Sequence, residues 1–295
     1  MTGVAALPAD AAADRAEELA RQGRHPEARA AVRAALDQAP ADSLLAVRLT
    51  NLLGGIAFEL GDLAEAERLF ESTMASARAR GEARLLARAA TNLASVVHLR
   101  GKETLAASLY VSAFTVFQGL EDPVGVARAC HNLALLAREA GRWREALSWG
   151  ERAVAAAVEG PDPGLEGQVR AGLAAVALGL GRLPWAREDL HRARCLALQA
   201  GDRLGVAEVA RLTGELELES GYPGAGLTAA REAWRAAHRL GGVQLAAEAA
   251  ELASRCCQAL HRARQARRFR ALAGSRFSAL GATPALRRLA ASTGG

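Results

Sequence analysis

The chain has 295 residues, of which 51% are hydrophobic and only 4% aromatic, and its formal net charge is +5. No apolar run reaches the roughly 18 residues that a transmembrane helix needs, and the N-terminus lacks the basic and apolar segments of a secretory signal. We therefore expect a cytoplasmic protein. Alanine supplies much of the hydrophobic content, which favours helices, and no strand-like alternation of Val, Ile and Thr is evident.

Glycines divide the chain at regular intervals. Five of them lie 40 residues apart, and each is followed five residues later by alanine or glycine; they are Gly61, Gly101, Gly141, Gly181 and Gly221. The residues before each glycine carry small and apolar side chains at three- and four-residue steps, the spacing of one helix face. Glycine commonly ends a helix, so the pattern predicts a tandem array of helix pairs.

The array predicts the domain organisation in chain order. We expect a flexible N-terminus at residues 1–8, a helical repeat domain of about seven pairs at 9–280, and a C-terminal capping helix and tail at 281–295. The second helix of the seventh pair is predicted over 258–272, with His261 in the place of a glycine, and a last short helix over 283–291. Repeats of a solenoid contact only their neighbours, so we expect one elongated domain.

Two repeats carry a family resemblance. Asn92-Leu-Ala with Gly101 and Ala106, and Asn132-Leu-Ala with Gly141-Arg-Trp-Arg-Glu-Ala146, resemble the tetratricopeptide repeat family. The likeness extends more loosely over residues 9–280, although the family's standard unit has 34 residues and its aromatic positions are largely replaced by Ala and Leu. The 40-residue form looks like the longer variety of bacterial regulatory and sensor proteins and some eukaryotic scaffold proteins. The resemblance implies an all-α, right-handed superhelical solenoid of antiparallel helix pairs.

Motifs for catalysis or metal binding are missing from the sequence. It contains no phosphate-binding loop, no His-Glu-x-x-His pair and no Gly-x-Ser-x-Gly elbow. Its six histidines are scattered, and its four cysteines show no Cys-x-x-Cys spacing. We expect no enzyme activity, no metal and no cofactor, and we expect the cysteines to be buried free thiols.

The 40-residue period gives the first helix of each predicted pair one equivalent position. In chain order this position holds Arg48, Arg88, Arg128, Gln168, Glu208 and Glu248. Asn92 and Asn132 follow two of the arginines by four residues, which places each pair on one helix face. The change from arginine to glutamate predicts a groove that is basic at one end and acidic at the other.

The resemblance implies a peptide clamp on this face, because first helices line the concave groove in tetratricopeptide repeat proteins. The implied peptide-binding residues are Arg48, Asn51, Arg88, Asn92, His98, Arg128, Asn132 and Arg138. Guanidinium groups bind carboxylates through paired hydrogen bonds, and asparagine amides can pair with a peptide backbone. The implied partner is therefore a protein or peptide with an acidic segment or a free carboxylate. The structural alternative is that the asparagines join adjacent helices and the arginines form solvated ion pairs.

The C-terminal end forms a separate, basic feature. After Glu251 the sequence has nine arginines and no acidic residue. The candidate polyanion-binding residues are Arg262, Arg264, Arg267 and Arg268. Aromatic residues that could stack on bases are sparse there, which argues against a single-strand binder. The alternative is that a polar last helix merely covers the end of the solenoid.

These features together predict a non-catalytic scaffold or adaptor that binds a peptide or protein segment in a concave groove. The alternative function is a ligand- or peptide-sensing regulatory module of a bacterial transcription or signalling system. Nucleic-acid binding through the basic end is a third and less favoured interpretation.

Overall fold

The computed structural model describes residues 9–291, which form fifteen α-helices and no strand. The predicted flexible N-terminus at 1–8 and the end of the predicted tail at 292–295 lie outside the described residues. The helices are α1 (Ala9–Arg21), α2 (His25–Gln38), α3 (Leu44–Glu59), α4 (Leu63–Ala79), α5 (Ala83–Leu99), α6 (Glu103–Gly119), α7 (Pro123–Glu139), α8 (Trp143–Glu159), α9 (Pro163–Gly179), α10 (Leu183–Gln199), α11 (Arg203–Glu219), α12 (Pro223–Leu240), α13 (Val243–Ala259), α14 (Ala263–Leu280) and α15 (Thr283–Ala291).

The first fourteen helices form seven antiparallel pairs, each made of an odd-numbered helix and the even-numbered helix that follows it. The turn inside a pair needs a left-handed residue. Gly61 has φ 81° there, and His261 takes the same conformation with φ 56° in the seventh pair. The predicted solenoid of seven helix pairs with a short final helix is therefore confirmed.

One predicted helix boundary is wrong. The second helix of the seventh pair was expected at 258–272, but α13 continues to Ala259 and α14 extends from Ala263 to Leu280. Gly274 lies inside α14, although glycine is a poor helix former. Its neighbours Ala273 and Phe277 are buried, so tertiary packing of this helix outweighs the local propensity. The division of the chain into domains at residues 8/9 and 280/281 stays a prediction.

The odd-numbered helices lie on the inner side of the superhelix. From α1 to α11, each of them contacts the next odd-numbered helix as well as its own partner, as α7 does with α9 and α9 with α11. The small residues at the start of the even-numbered helices, including Ala66, Ala106 and Ala146, are fully buried. Because these side chains are short, the two helices of a pair approach closely, and the inner helices present one face to a common concave side.

The two ends of the solenoid contact each other, which differs from the elongated domain that the sequence predicts. Gly23 lies against Leu240 at the end of α12, and a methyl group on Gly61 would lie only 2.8 Å from Leu280 Cδ2 at the end of α14. Leu99 at the end of α5 packs into the same cluster as Leu280. The superhelix therefore completes one turn and rests its last repeats on its first, because the crossing angles of successive pairs add up.

Candidate functional site

The superhelical turn surrounds a cavity of about 370 Å³ on its inner side. Residues of α3, α5, α7 and α9 line it from the first part of the chain, and residues of α13, α14 and α15 line it from the last part. Four predicted peptide-binding residues lie in its wall: Asn92, His98, Arg128 and Asn132. The volume lies at the lower end of the range for ligand pockets. We therefore take this central cavity as the candidate site.

The asparagines of the predicted clamp divide into two groups. Asn92 Nδ2 donates a hydrogen bond to Asn51 Oδ1 at 3.2 Å, which joins α5 to α3. These two residues therefore fit the structural alternative. Asn132 lines the central cavity and makes no side-chain hydrogen bond within the described part of the chain, so its amide can bind a ligand.

Two arginines of the predicted clamp, Arg88 and Arg128, lie near enough for their charges to interact. Arg128 is half exposed to the cavity, and its nearest carboxylate oxygen, on Asp162, is 3.9 Å away, beyond hydrogen-bond distance. Burial among protein atoms and the nearby charge of Arg88 lower the pKa of the Arg128 guanidinium. Arg88 is exposed and has no ion pair among residues 9–291. An anion bound between these two groups would relieve their repulsion.

The other predicted clamp residues have different surroundings. Arg48 lies at a separate, smaller cavity beside Asp14 and Glu17 of α1, so the structure does not bring it to the central cavity. His98 Nε2 lies 3.1 Å from Glu139 Oε2 and links α5 to α7. Burial would raise the pKa of Glu139, but the hydrogen bond with His98 and the nearby arginine charges lower it. Arg138, one of those arginines, is half-buried.

The glutamates at the predicted acidic end of the groove are paired with arginines, which neutralise much of its charge. Arg211 lies among three glutamates; its distances are 2.6 Å to Glu208, 3.4 Å to Glu215 and 3.5 Å to Glu248. Arg255 similarly pairs with Glu215 and Glu219, and Arg288 with Glu251. Because several of these pairs join different helices, the glutamates hold successive repeats together.

Glu59, at the end of α3, is a cavity residue that the sequence analysis missed. Its side chain is exposed to the cavity, although many atoms of the cavity wall lie around it. This burial, together with the charge of Asp202, raises the pKa of Glu59 to about 7. The 40-residue spacing places Glu59, Glu139 and Glu219 at one repeat position, and that signal was available in the sequence.

The cavity wall also has neutral polar groups that the sequence analysis did not single out. The Tyr110 hydroxyl lies 3.0 Å from Ser95 Oγ. His131 packs over Gly172, where a methyl group would lie 2.6 Å from His131 Cε1. Burial and the charges of Arg138 and Arg128 lower the pKa of His131 to about 4, so its imidazole is neutral at pH 7.

We expect Glu59 to make stability depend on pH. Its pKa is about 7 in the folded protein against 4.5 for an ordinary glutamate, so the free energy of unfolding falls as the pH rises through this interval. Glu59→Gln should be roughly 1 kcal/mol more stable than the parent above pH 7, after allowance for solvent screening of this exposed side chain, and equal to it below pH 4.5. Urea denaturation at pH 4 and pH 8 measures this, and an equal difference at both values would contradict it.

The predicted polyanion-binding residues lie at the start of α14, on the outer side of the superhelix. Arg262, Arg264, Arg267 and Arg268 are all exposed, with no ion pair within the described range. Other arginines of the basic end serve the fold instead. Arg270 donates to the backbone carbonyl of Leu289, and Arg276 Nη2 lies 3.3 Å from His238 Nδ1. The free basic surface is thus smaller than the arginine count of the sequence indicates.

Metal, membrane and thiol features are limited. Within residues 9–291 no cluster of His, Cys, Asp and Glu could hold a metal ion, and no helix there has the length and apolarity to cross a bilayer. Three cysteines are buried and free, whereas Cys195 is exposed. The expectation of burial is wrong for Cys195 because it lies on the exposed side of α10.

Comparison with known proteins agrees with this geometry. Residues 85–157, which span α5 to α8, match the tetratricopeptide repeat family model. No curated protein matches the chain. A solved Rap protein complexed with Competence and Sporulation Factor is similar, with a TM-score of 0.69 and 12% identity, over 95% of this chain and 79% of that one.

Two further solved structures have the same fold. One is the Rap conjugation gene regulator of the plasmid pLS20 in complex with the Phr* peptide, with a TM-score of 0.67 and 13% identity over 90% of this chain and 74% of that one. The other is the apo form of RapI, with a TM-score of 0.61 and 11% identity over 96% of this chain and 99% of that one. Residues 85–157 therefore carry tetratricopeptide repeats, and residues 9–291 as a whole have the superhelical fold of these solved proteins.

Proposed function

We propose that the protein is a non-catalytic scaffold or adaptor that binds an extended peptide or protein segment in its central cavity. The observation that carries this proposal is the pair Arg128 and Asn132. Both side chains line the cavity, Asn132 makes no side-chain hydrogen bond within residues 9–291, and Arg128 has only a distant carboxylate neighbour. Polar groups in a concave site that the protein leaves unpaired are available to a ligand.

The chemistry of these residues indicates the kind of segment. The guanidinium groups of Arg88 and Arg128 would bind a carboxylate, either an acidic side chain or a free C-terminus. The Asn132 amide would donate to and accept from the backbone of an extended chain. Thr91, His131 and Gln168 add neutral polar groups to the same wall. The proposed partner is thus a segment with a carboxylate, and we keep the cytoplasm as its proposed location.

Similar solved structures support a peptide as the occupant. One Rap protein of this fold was solved with Competence and Sporulation Factor and another with the Phr* peptide. Because identity to them is 12–13%, the likeness supports the kind of partner and not its sequence.

We expect Asn132→Ala to weaken segment binding by about 0.5–1.5 kcal/mol, because it removes hydrogen bonds to neutral backbone groups. A pull-down from cell extract with mass spectrometry would identify the segment, and calorimetry with the synthetic segment would measure affinity. Gln118→Ala is the matched control, since this amide is exposed on the outer side of α6. Unchanged affinity of Asn132→Ala would count against the proposed site.

A peptide-sensing regulator is the second candidate, and the closed superhelical turn favours it. The cavity wall combines α5 and α7 with α13 and α15, so a ligand would touch both halves of the turn. A ligand that binds the closed form better than an open form shifts the population between them. Small-angle scattering with a saturating concentration of the segment should then show a smaller radius of gyration. Unchanged dimensions would contradict the regulator and favour a static adaptor.

Polyanion binding by the basic start of α14 is the third candidate, and we favour a solubilising role for this surface. We expect the variant with Arg262, Arg264, Arg267 and Arg268 changed to Gln to keep its helicity and its affinity for the segment. Chromatography on immobilised DNA at physiological salt tests the alternative. Retention of the parent together with loss of retention in the variant would contradict the solubilising role.

A further inference from the structure

The cavity contains two charged groups that the protein itself does not neutralise closely. The acidic, basic and histidine residues in its wall are Glu59, His98, Arg128, His131, Glu139, Glu248 and Arg288. His98 and Glu139 pair with each other, Glu248 lies near Arg211, and Arg288 pairs with Glu251. His131 is neutral. Glu59 and Arg128 remain, one acidic and one basic.

Within residues 9–291, Glu59 forms no ion pair, and no cation is among the groups that shift its pKa. Burial and the like charge of Asp202 are the only influences that shift its pKa, and both raise it. The space beside it is open, because a methyl group on Gly55, one helical turn earlier, would meet nothing within 4 Å. The half-buried ring of Phe58, next to Glu59, lines the same cavity, and aromatic faces attract cations. The site thus has room for a positive group and the chemistry to hold one.

We propose that Glu59 is a second subsite, which binds a cationic group of the same segment whose carboxylate is held at Arg128. This inference rests on the proposed function and extends it to the chemistry and direction of the ligand. The ligand is then a short peptide with a positive group at one end and a carboxylate at the other. A carboxylate left without a counter-ion among protein atoms costs free energy, and a bound ammonium or guanidinium group removes that cost. Opposite charges at two fixed places allow only one direction of binding.

The positive group has two sources, a free N-terminal ammonium and a basic side chain. The cavity volume of about 370 Å³ suits only a few residues, so both ends of a short free peptide would lie inside it. A longer segment would place a lysine or arginine side chain at Glu59 instead. Both sources have the same chemistry at the carboxylate, and acetylation of the N-terminus distinguishes them.

The test uses the full chain, immobilised, and a combinatorial tetrapeptide library with free termini as the probe. The same library is also prepared with acetylated N-termini, and bound peptides are quantified by mass spectrometry. We expect the parent to retain the free library at least tenfold better than Glu59→Gln does. Glu232→Gln, a matched change at an exposed glutamate on the outer side of α12, should behave as the parent. Circular dichroism checks that each variant is folded.

The outcomes distinguish failure of the Glu59 subsite from failure of the proposed peptide-binding function. Loss of binding on acetylation supports the subsite with the terminal ammonium as its ligand. Binding that survives acetylation, is enriched in lysine or arginine and is lost in Glu59→Gln supports the subsite with a side chain. Equal retention of the free library by Glu59→Gln and the parent, with loss in Arg88→Ala/Arg128→Ala, would overturn the subsite and leave the proposed function standing. Equal retention by all variants would overturn both.

Discussion

Phe277→Ala should lower the free energy of unfolding by about 3–5 kcal/mol, the usual cost of deleting a buried phenylalanine ring. Phe277 is 1% exposed and belongs to the cluster in which Leu280 of α14 and Leu289 of α15 pack with Leu99 of α5. Its ring therefore fills the core where the last repeats rest on an early one. The variant should lose stability and also open the superhelical turn, which increases the radius of gyration.

A matched control separates these two effects. Phe117 is also 1% exposed, but its cluster lies among neighbouring helices α5, α6 and α7. Phe117→Ala should lose comparable stability in urea denaturation without a change in the radius of gyration of the folded protein. If small-angle scattering shows the same dimensions for both folded variants, Phe277 does not hold the turn closed.

Arg88→Ala/Arg128→Ala should reduce segment binding by roughly a hundredfold or more, measured by calorimetry with the segment that the pull-down identifies. Hydrogen bonds to charged groups contribute about 1.5–3 kcal/mol each, and the variant removes two guanidinium groups that would bind one carboxylate. The melting temperature should not fall, because these two positive groups repel each other in the free protein.

Arg48→Ala is the matched control for this pair, since Arg48 has the same repeat position but lies at the smaller cavity. It should bind the segment as the parent does. Full binding by the double variant would contradict the proposal that Arg88 and Arg128 bind a carboxylate. Lost binding together with a lower melting temperature would show instead that Arg88 and Arg128 hold neighbouring helices together.

The lining of the central cavity was predictable from the sequence only in part. The 40-residue spacing correctly places Asn92, Arg128 and Asn132 on the inner helices, and all three line the cavity. It could not show that Asn92 is engaged by Asn51, because both residues fit a ligand-binding position and an interhelical hydrogen bond equally well. Likewise, the sequence alone does not show whether a glutamate on the inner face is paired, because the arginine that neutralises it can lie on a neighbouring helix.

The sequence by itself determined the helix pairs and their turns. A left-handed turn residue such as Gly61 and a small residue such as Ala66 act on adjacent parts of the chain, so a local pattern is sufficient to reveal them. The turn at His261 could still be predicted although histidine replaces glycine there, because the 40-residue pattern continues on both sides of it.

Only the tertiary structure decided what the cavity contains. Gln244 and Arg288 come to the same wall as Glu59 and Asn92 because the superhelix closes after one turn. That closure depends on the crossing angle at every helix contact, which is set by how side chains of different helices interdigitate. A small change in this angle, repeated over seven pairs, would move the last repeats away from the first. The spacing of residues within one repeat carries no information about the sum of these crossing angles. The central cavity and its unpaired charges could therefore be identified only from the tertiary structure.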